Sequence, residues 1–163
     1  MTNREDLKAA FVHFAEMFEI PTQYRAKFET VIWKNINDIR KAVKEAESLF
    51  AYKWESELAK QTLIERGERF PFLKEQLDLV ITKIIKLAHV NRAFRNAERV
   101  VSTMPYLKID RGPQLVECPI HTQYHGKVFP VKDEFWYDYP LAKHLDCYCQ
   151  IRGVSKYELN NSR

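Results

Sequence analysis

The 32 residues from Cys118 to Cys149, CPIHTQYHGKVFPVKDEFWYDYPLAKHLDCYC, hold all three cysteines of the chain and three of its five histidines. Cys118 and His121 have two residues between them, and His144 and Cys147 repeat that gap 22 residues later. A tight turn aims both side chains of such a pair at one point. Two facing pairs supply the thiolate and imidazole donors of a tetrahedral zinc site. Cys149 and His125 stand beside the four as spare donors. An odd number of cysteines argues against a disulfide framework, and reduced thiols suit metal binding in a cytoplasm. The competing reading makes the cysteines small buried hydrophobes and the histidines surface or hydrogen-bonded core residues.

The stretch before this one is helical in pattern. Thr2 and Glu5 have capping-box spacing. Leu7, Ala10, Phe11, Phe14, Met17 and Phe18 share a face, which predicts a helix over 3–19 that stops at Ile20-Pro21. No Gly or Pro occurs from Thr22 until Gly67. Phe28, Ile32, Ile36, Ile39, Val43, Ala46 and Phe50 recur at threes and fours, a coiled-coil-like seam. Unbroken, residues 22–66 would form a rod about 65 Å long at about 1.5 Å per residue; the alternative is a break near Ala51–Trp54. Such a stripe needs a partner in this chain or another copy, with Ile36, Ile39 and Val43 at its middle. Gly67–Pro71 reads as a turn and Phe72–Thr103 as a second long helix. Its apolar side moves around after Asn91, so the helix either breaks near His89–Asn91 or changes the neighbour it packs against. The second is favoured, with the first half serving a helical bundle and the second half the C-terminal module.

Composition changes at Pro105: five of seven prolines and three of four glycines lie from there on. Tyr106–Ile109, Leu115–Glu117, Lys127–Val131 and Gln150–Val154 are short strand candidates, the third an edge strand because of Pro130. So small a β-rich knob is marginal alone. A structural zinc contributes on the order of 10–16 kcal/mol in small zinc peptides, enough to hold it together. The expected architecture is α+β: a helical body over 1–104, a zinc-stapled knob over 105–154, and a polar tail without structure over 155–163.

Other features bear on function. Residues 79–104 carry Lys83, Lys86, Arg92, Arg95 and Arg99 against Glu98 alone. Such a stripe suits phosphate or an acidic partner, or is simply a solvated face. Phe135, Trp136, Tyr137 and Tyr139 read as the core of the knob and its packing against the long helix. Cys118 with His121 or His125 lacks an orienting carboxylate and an oxyanion-forming turn. Four or five ligands would close a metal site against substrate, and no phosphate-cradling glycine loop is present. No enzymatic activity is expected. No run of 18 apolar residues and no signal-peptide pattern occurs, so neither a membrane span nor export is expected.

The run His125-Gly126-Lys127-Val128-Phe129-Pro130-Val131, followed by Asp133, Phe135-Trp136, Tyr139-Pro140 and Cys147-Tyr148-Cys149, resembles the C-terminal signature of the phage Mu F-like minor head (head morphogenesis) proteins. Asn91-Arg92-Ala93 and Ala97 are similar to the helix that precedes that signature. The resemblance covers about residues 90–152. Tyr148 stands where an arginine is usual, one proline follows Tyr139 where two are common, and His121 stands where a cysteine or an unrelated residue is often found. The resemblance implies a non-enzymatic minor head protein of a tailed phage or prophage. It would be assembled in the host cytoplasm and carried in the virion, in contact with portal, capsid interior or packaged DNA. Scaffolding through the residue 28–50 seam, with self-association or capture by portal or capsid protein, is the expected mechanism. The alternative is a zinc-containing nucleic-acid-binding module using Arg92, Arg95 and Arg99.

Overall fold

A computed structural model describes residues 1–54, 76–113 and 117–161, with backbone alone for residues 51–54. The architecture is mixed helix and sheet. Six helices occur among the described residues: α1 (Arg4–Met17), α2 (Thr22–Lys34), α3 (Ile39–Trp54), α4 (Leu77–Arg99), α5 (Phe135–Asp138) and α6 (Lys156–Asn161). The strands β1 (Tyr106–Asp110), β2 (Val128–Pro130) and β3 (Gln150–Val154) form one antiparallel sheet in the order β2-β1-β3. The chain divides into two compact units, Leu7–Ile85 on one hand, and Met1–Asp6 with Lys86–Arg163 on the other. The division falls inside α4 rather than at Pro105. No helix among the described residues is long and apolar enough to cross a membrane.

In the Leu7–Ile85 unit, the expected rod is folded in two. Asn35, Asn37 and Asp38 are poor helix formers because their side chains compete for backbone hydrogen bonds. The buried Asn35 amide donates to the carbonyl of Val31 at 2.9 Å and to Glu45 Oε2 at 3.0 Å. Asp38 then starts α3, its Oδ1 accepting the Lys41 N–H at 3.1 Å. The chain reverses, and the ring of Phe28 on α2 meets that of Phe50 on α3 edge-on at 5.3 Å. Phe28, Ile32, Ala42, Ala46 and Phe50 are buried, so the seam partners itself. Ile36, Ile39 and Val43, at the turn end of this hairpin, are half-buried. α3 runs through Ala51 to Trp54; the residues on which the alternative break near 51–54 also depends, and the 67–71 turn, lie outside the described residues.

The other unit is built on the C-terminal half of α4, which continues through His89–Asn91 without a break. Its side chains hold the first residues of the chain. The Asn91 amide donates to the carbonyl of Asp6 at 3.1 Å, and Arg95 pairs with the Asp6 carboxylate at 2.8 Å. The N-cap of α1 is Asn3 rather than Thr2: Asn3 and Asp6 exchange N–H to side-chain-oxygen bonds, both 2.9 Å. Thr2 instead bonds His89 Nδ1 at 2.9 Å.

On the same unit Phe94 meets Trp136 edge-on at 5.3 Å, and Phe129 stacks on Phe135 at 3.8 Å. The Trp136 indole donates to the carbonyl of Pro130 at 2.8 Å, so its polar atom is satisfied inside. Burying Phe135 and Trp136 is worth about 2–3 kcal/mol each. Tyr137 departs from the expected core role, being 89% exposed. Pro105 and Gly112 lie on either side of β1, Gly126 precedes β2 and Pro130 ends it, and β2 lies at an edge of the sheet. Leu115 and Val116 lie outside the described residues, and Glu117 is not in a strand. The expected structureless tail contains α6, capped by Ser155 Oγ, which accepts the Glu158 N–H at 3.1 Å.

Candidate metal centre

Two loops of the C-terminal unit bring the donors together. The first begins at Cys118, whose carbonyl accepts the Thr122 N–H at 3.2 Å and the Thr122 hydroxyl at 2.7 Å. This closes a turn that sets the thiol of Cys118 and the ring of His121 side by side. The turn runs through a 3-10 segment, Thr122–Tyr124, to Gly126. Gly126 adopts a left-handed φ of 82° that a side chain disfavours. There its N–H donates to the Ile109 carbonyl at 2.7 Å, fastening the loop to β1. The second loop, Cys147-Tyr148-Cys149, leads straight into β3 and lies against Gly112, where a Cβ would come 1.6 Å from the Tyr148 carbonyl oxygen.

Buried Cys118, His121, Cys147 and Cys149 lie close together and could hold a metal ion; one donor atom from each falls within 4.8 Å of all the others. His121 Nδ1 is 3.3 Å from Cys118 Sγ and 3.4 Å from Cys147 Sγ. On its other side Nε2 lies 2.9 Å from the carbonyl of Tyr139. A proton held there leaves Nδ1 free to offer its lone pair to the cluster. Two of the three thiols also receive backbone N–H groups. His121 N–H reaches Cys118 Sγ at 3.4 Å, and Ala142 N–H reaches Cys147 Sγ at 3.1 Å from a left-handed backbone of φ 59°.

The protonation of this set is uneven. Burial disfavours charge on His121, yet its hydrogen bonds to Cys147, the Tyr139 carbonyl and Cys118 prevail and push its pKa up to about 9. The Cys147 thiol is pushed down to about 3, first by the hydrogen bond from Cys149 and against its burial, with His121 and the Ala142 N–H adding to the effect. Cys149, the donor in that pair, is pushed up. Lys86 is held down by burial and drawn back up by negative charge on Cys147 and Cys149. The pocket thus gathers thiolate charge and pairs it with shared protons and a nearby ammonium. A cation among the four donors would replace those protons.

Of the four ligands expected from the spacing, Cys118, His121 and Cys147 are in this cluster and Cys149 completes it. His144 is not among the four: half-buried, it places Nε2 3.6 Å from Cys118 Sγ. His125, the other spare donor, places Nε2 3.1 Å from Cys149 Sγ. Both histidines therefore address sulfur atoms of the cluster. The role of Cys149 was open to a sequence signal. Residues two apart in an extended chain share a face, and Cys147-x-Cys149 immediately precedes a strand candidate.

The basic stripe is largely turned inward. Lys83 is fully buried, Lys86 is half-buried near the thiols, and Arg95 is bound to Asp6. Arg92 is half-buried, and its enclosed Nε has no hydrogen-bond partner among the described residues. Arg99 is exposed. No family model, curated protein or solved structure matches the chain.

Proposed function

We propose that the cluster holds one structural zinc ion, and that the chain is a non-enzymatic minor head protein of a tailed phage or prophage that acts as an assembly scaffold. The observation carrying the metal reading is a closed donor set of three buried cysteines and one buried histidine. With metal–sulfur bonds of about 2.3 Å and metal–nitrogen bonds of about 2.0–2.1 Å, a tetrahedral zinc site spaces sulfur and nitrogen about 3.6 Å apart. The distances of 3.3 and 3.4 Å from His121 Nδ1 to the two sulfurs fit that spacing with little movement. Four protein ligands leave no coordination position for substrate, which favours a staple over a catalyst. Zinc there would tie the loop that follows β1 to the strand that pairs with it, in a module too small to rest on its aromatic core alone.

The head-protein reading rests on the resemblance of residues 90–152 to the Mu F-like signature. Its motif residues are the ones that build this unit: Gly126 fastens the ligand loop, Phe129, Phe135 and Trp136 make the core, and Cys147 and Cys149 carry donors. Portal or capsid proteins are the partners this implies. Ile36, Ile39 and Val43, half-buried at the end of the α2–α3 hairpin, are the apolar positions offered to them. The nucleic-acid alternative is weakened by the burial of Lys83, the half-buried position of Arg92 and the pairing of Arg95 with Asp6.

The test has two arms. Protein purified without chelator should contain about one zinc per chain, and Cys147→Ser should abolish it and lower the melting temperature. A metal-free wild type, with Cys147→Ser melting at the same temperature, would sink the staple. Separately, Ile36, Ile39 and Val43 changed together to Glu should abolish capture by portal or capsid protein and entry into particles while zinc content stays at one. Protein that ignores portal and capsid proteins from the outset would defeat the scaffold reading.

A further inference from the structure

The three sulfurs of the cluster are not equally supported. Cys118 Sγ receives the backbone N–H of His121 and faces His144 Nε2. Cys147 Sγ receives the backbone N–H of Ala142. For Cys149 the one hydrogen-bonding neighbour from outside the four-donor set, among the described residues, is His125, with Nε2 3.1 Å from Sγ. His125 is itself held in place, closing the 3-10 turn through its N–H to the Thr122 carbonyl at 3.3 Å. It is half-buried, whereas Cys149 is fully buried, and the two are 24 residues apart in the chain.

We infer that His125 is a positioning residue for the metal centre, an outer latch whose Nε2–H holds the Cys149 thiolate in place and governs how fast the metal leaves. This rests on the reading of the cluster as a metal site and adds to it the sulfur through which the site opens. An N–H bond to a metal-bound thiolate draws charge from sulfur and fixes the direction of its lone pairs. A thiolate without one keeps more charge, and is the sulfur that a competing metal or electrophile attacks first. Cys118 and Cys147 receive their support from main-chain N–H groups that side-chain substitution does not remove. Cys149 depends on a single imidazole at the edge of the pocket. The neutral Nε2–H tautomer and the imidazolium both donate from Nε2, so the latch does not require a change of protonation.

The experiment measures zinc release to a chromophoric chelator at fixed pH, in the full chain, together with the absorption of the cobalt(II)-substituted protein. His125→Phe, which has no donor, should release zinc about 10–100-fold faster than wild type. His125→Gln, whose amide can donate, should recover much of the difference. The thiolate-to-cobalt charge-transfer bands should match wild type in both variants, since the ligands do not change. In the cadmium-113 form of the wild type, the His125 Nε2–H should be slow to exchange and coupled to the metal through sulfur. Release by His125→Phe within twofold of wild type, from protein holding one zinc, overturns the latch and leaves the metal site standing. Altered cobalt bands in that variant overturn it differently, by making His125 a ligand. Should His125→Phe not fold, a rapidly exchanging, uncoupled Nε2–H in the wild type is refutation enough. A wild type that binds no zinc, cobalt or cadmium overturns the site and the latch together.

Discussion

Gly112 offers the most demanding check on how the second loop is built. A Cβ at this position would lie 1.6 Å from the carbonyl oxygen of Tyr148, 2.7 Å from its carbonyl carbon and 3.4 Å from its Cβ. Two of these neighbours are main chain, so no rotamer change relieves the contact. Reaching an ordinary separation of a little over 3 Å requires about 1.5 Å of backbone movement. Tyr148 sits between Cys147 and Cys149, so the movement is passed to two of the four donors. Metal sites tolerate ligand displacements of about 0.2 Å, several times less than this. Overpacking of a tight site costs about 1–3 kcal/mol even without a metal. At about 2–4 °C per kcal/mol for a chain of this size, the clash alone should lower the melting temperature of Gly112→Ala by about 2–12 °C, and the variant should lose most of its zinc.

The control is Gly153→Ala. Its added Cβ would meet the Sδ of Met104 at 2.9 Å, the mobile end of a flexible side chain. That variant should keep its zinc and melt within about 2 °C of wild type, a shift of less than 1 kcal/mol. The assay is differential scanning calorimetry with parallel elemental analysis. If Gly112→Ala retains one zinc per chain and melts with the Gly153 variant, the close approach of residue 112 to Tyr148 does not shape the site.

Two further predictions concern His89 and the basic stripe. His89 has a pKa below its usual 6.5, first through burial and then through the charges of Arg92 and Lys86; the unfolded chain therefore binds that proton more readily. The stability this confers is complete above about pH 6.5 and is lost as pH falls through the lowered folded value, so the protection of amides 2–6 relative to their intrinsic exchange rates should drop over that range in wild type but not in His89→Gln. For the basic stripe, the burial of Lys83, the half-buried position of Arg92 and the Arg95–Asp6 ion pair lead us to expect no salt-sensitive duplex binding in a filter-retention assay at low salt. Retention that Arg99→Glu weakens tenfold would refute this, since displaced counterions would then be driving a real contact.

The sequence carried the local signals for most of these elements but not their pairing. Helical spacing marked both long segments and Gly and Pro marked the first two strands, because those patterns are set by residues near in sequence. The α2–α3 turn was missed because the apolar period passes through it almost in phase; Asn35, Asn37 and Asp38, three helix-averse residues in four, were the contrary signal. At the C-terminus the Ser155-to-Glu158 spacing is that of a capping box, a start signal that a polar composition concealed. The cluster shows the same division between near and far. Cys118 and His121 are fixed by one turn, so their spacing was enough to pair them. The choice between His144 and Cys149 depends on how the chain enters β3, and that direction is set by β1 and by the space left at Gly112, 35 residues or more away in sequence. A local rule could find the donors; only the sheet decides which of them face the same point and which, like His125, stand behind a sulfur.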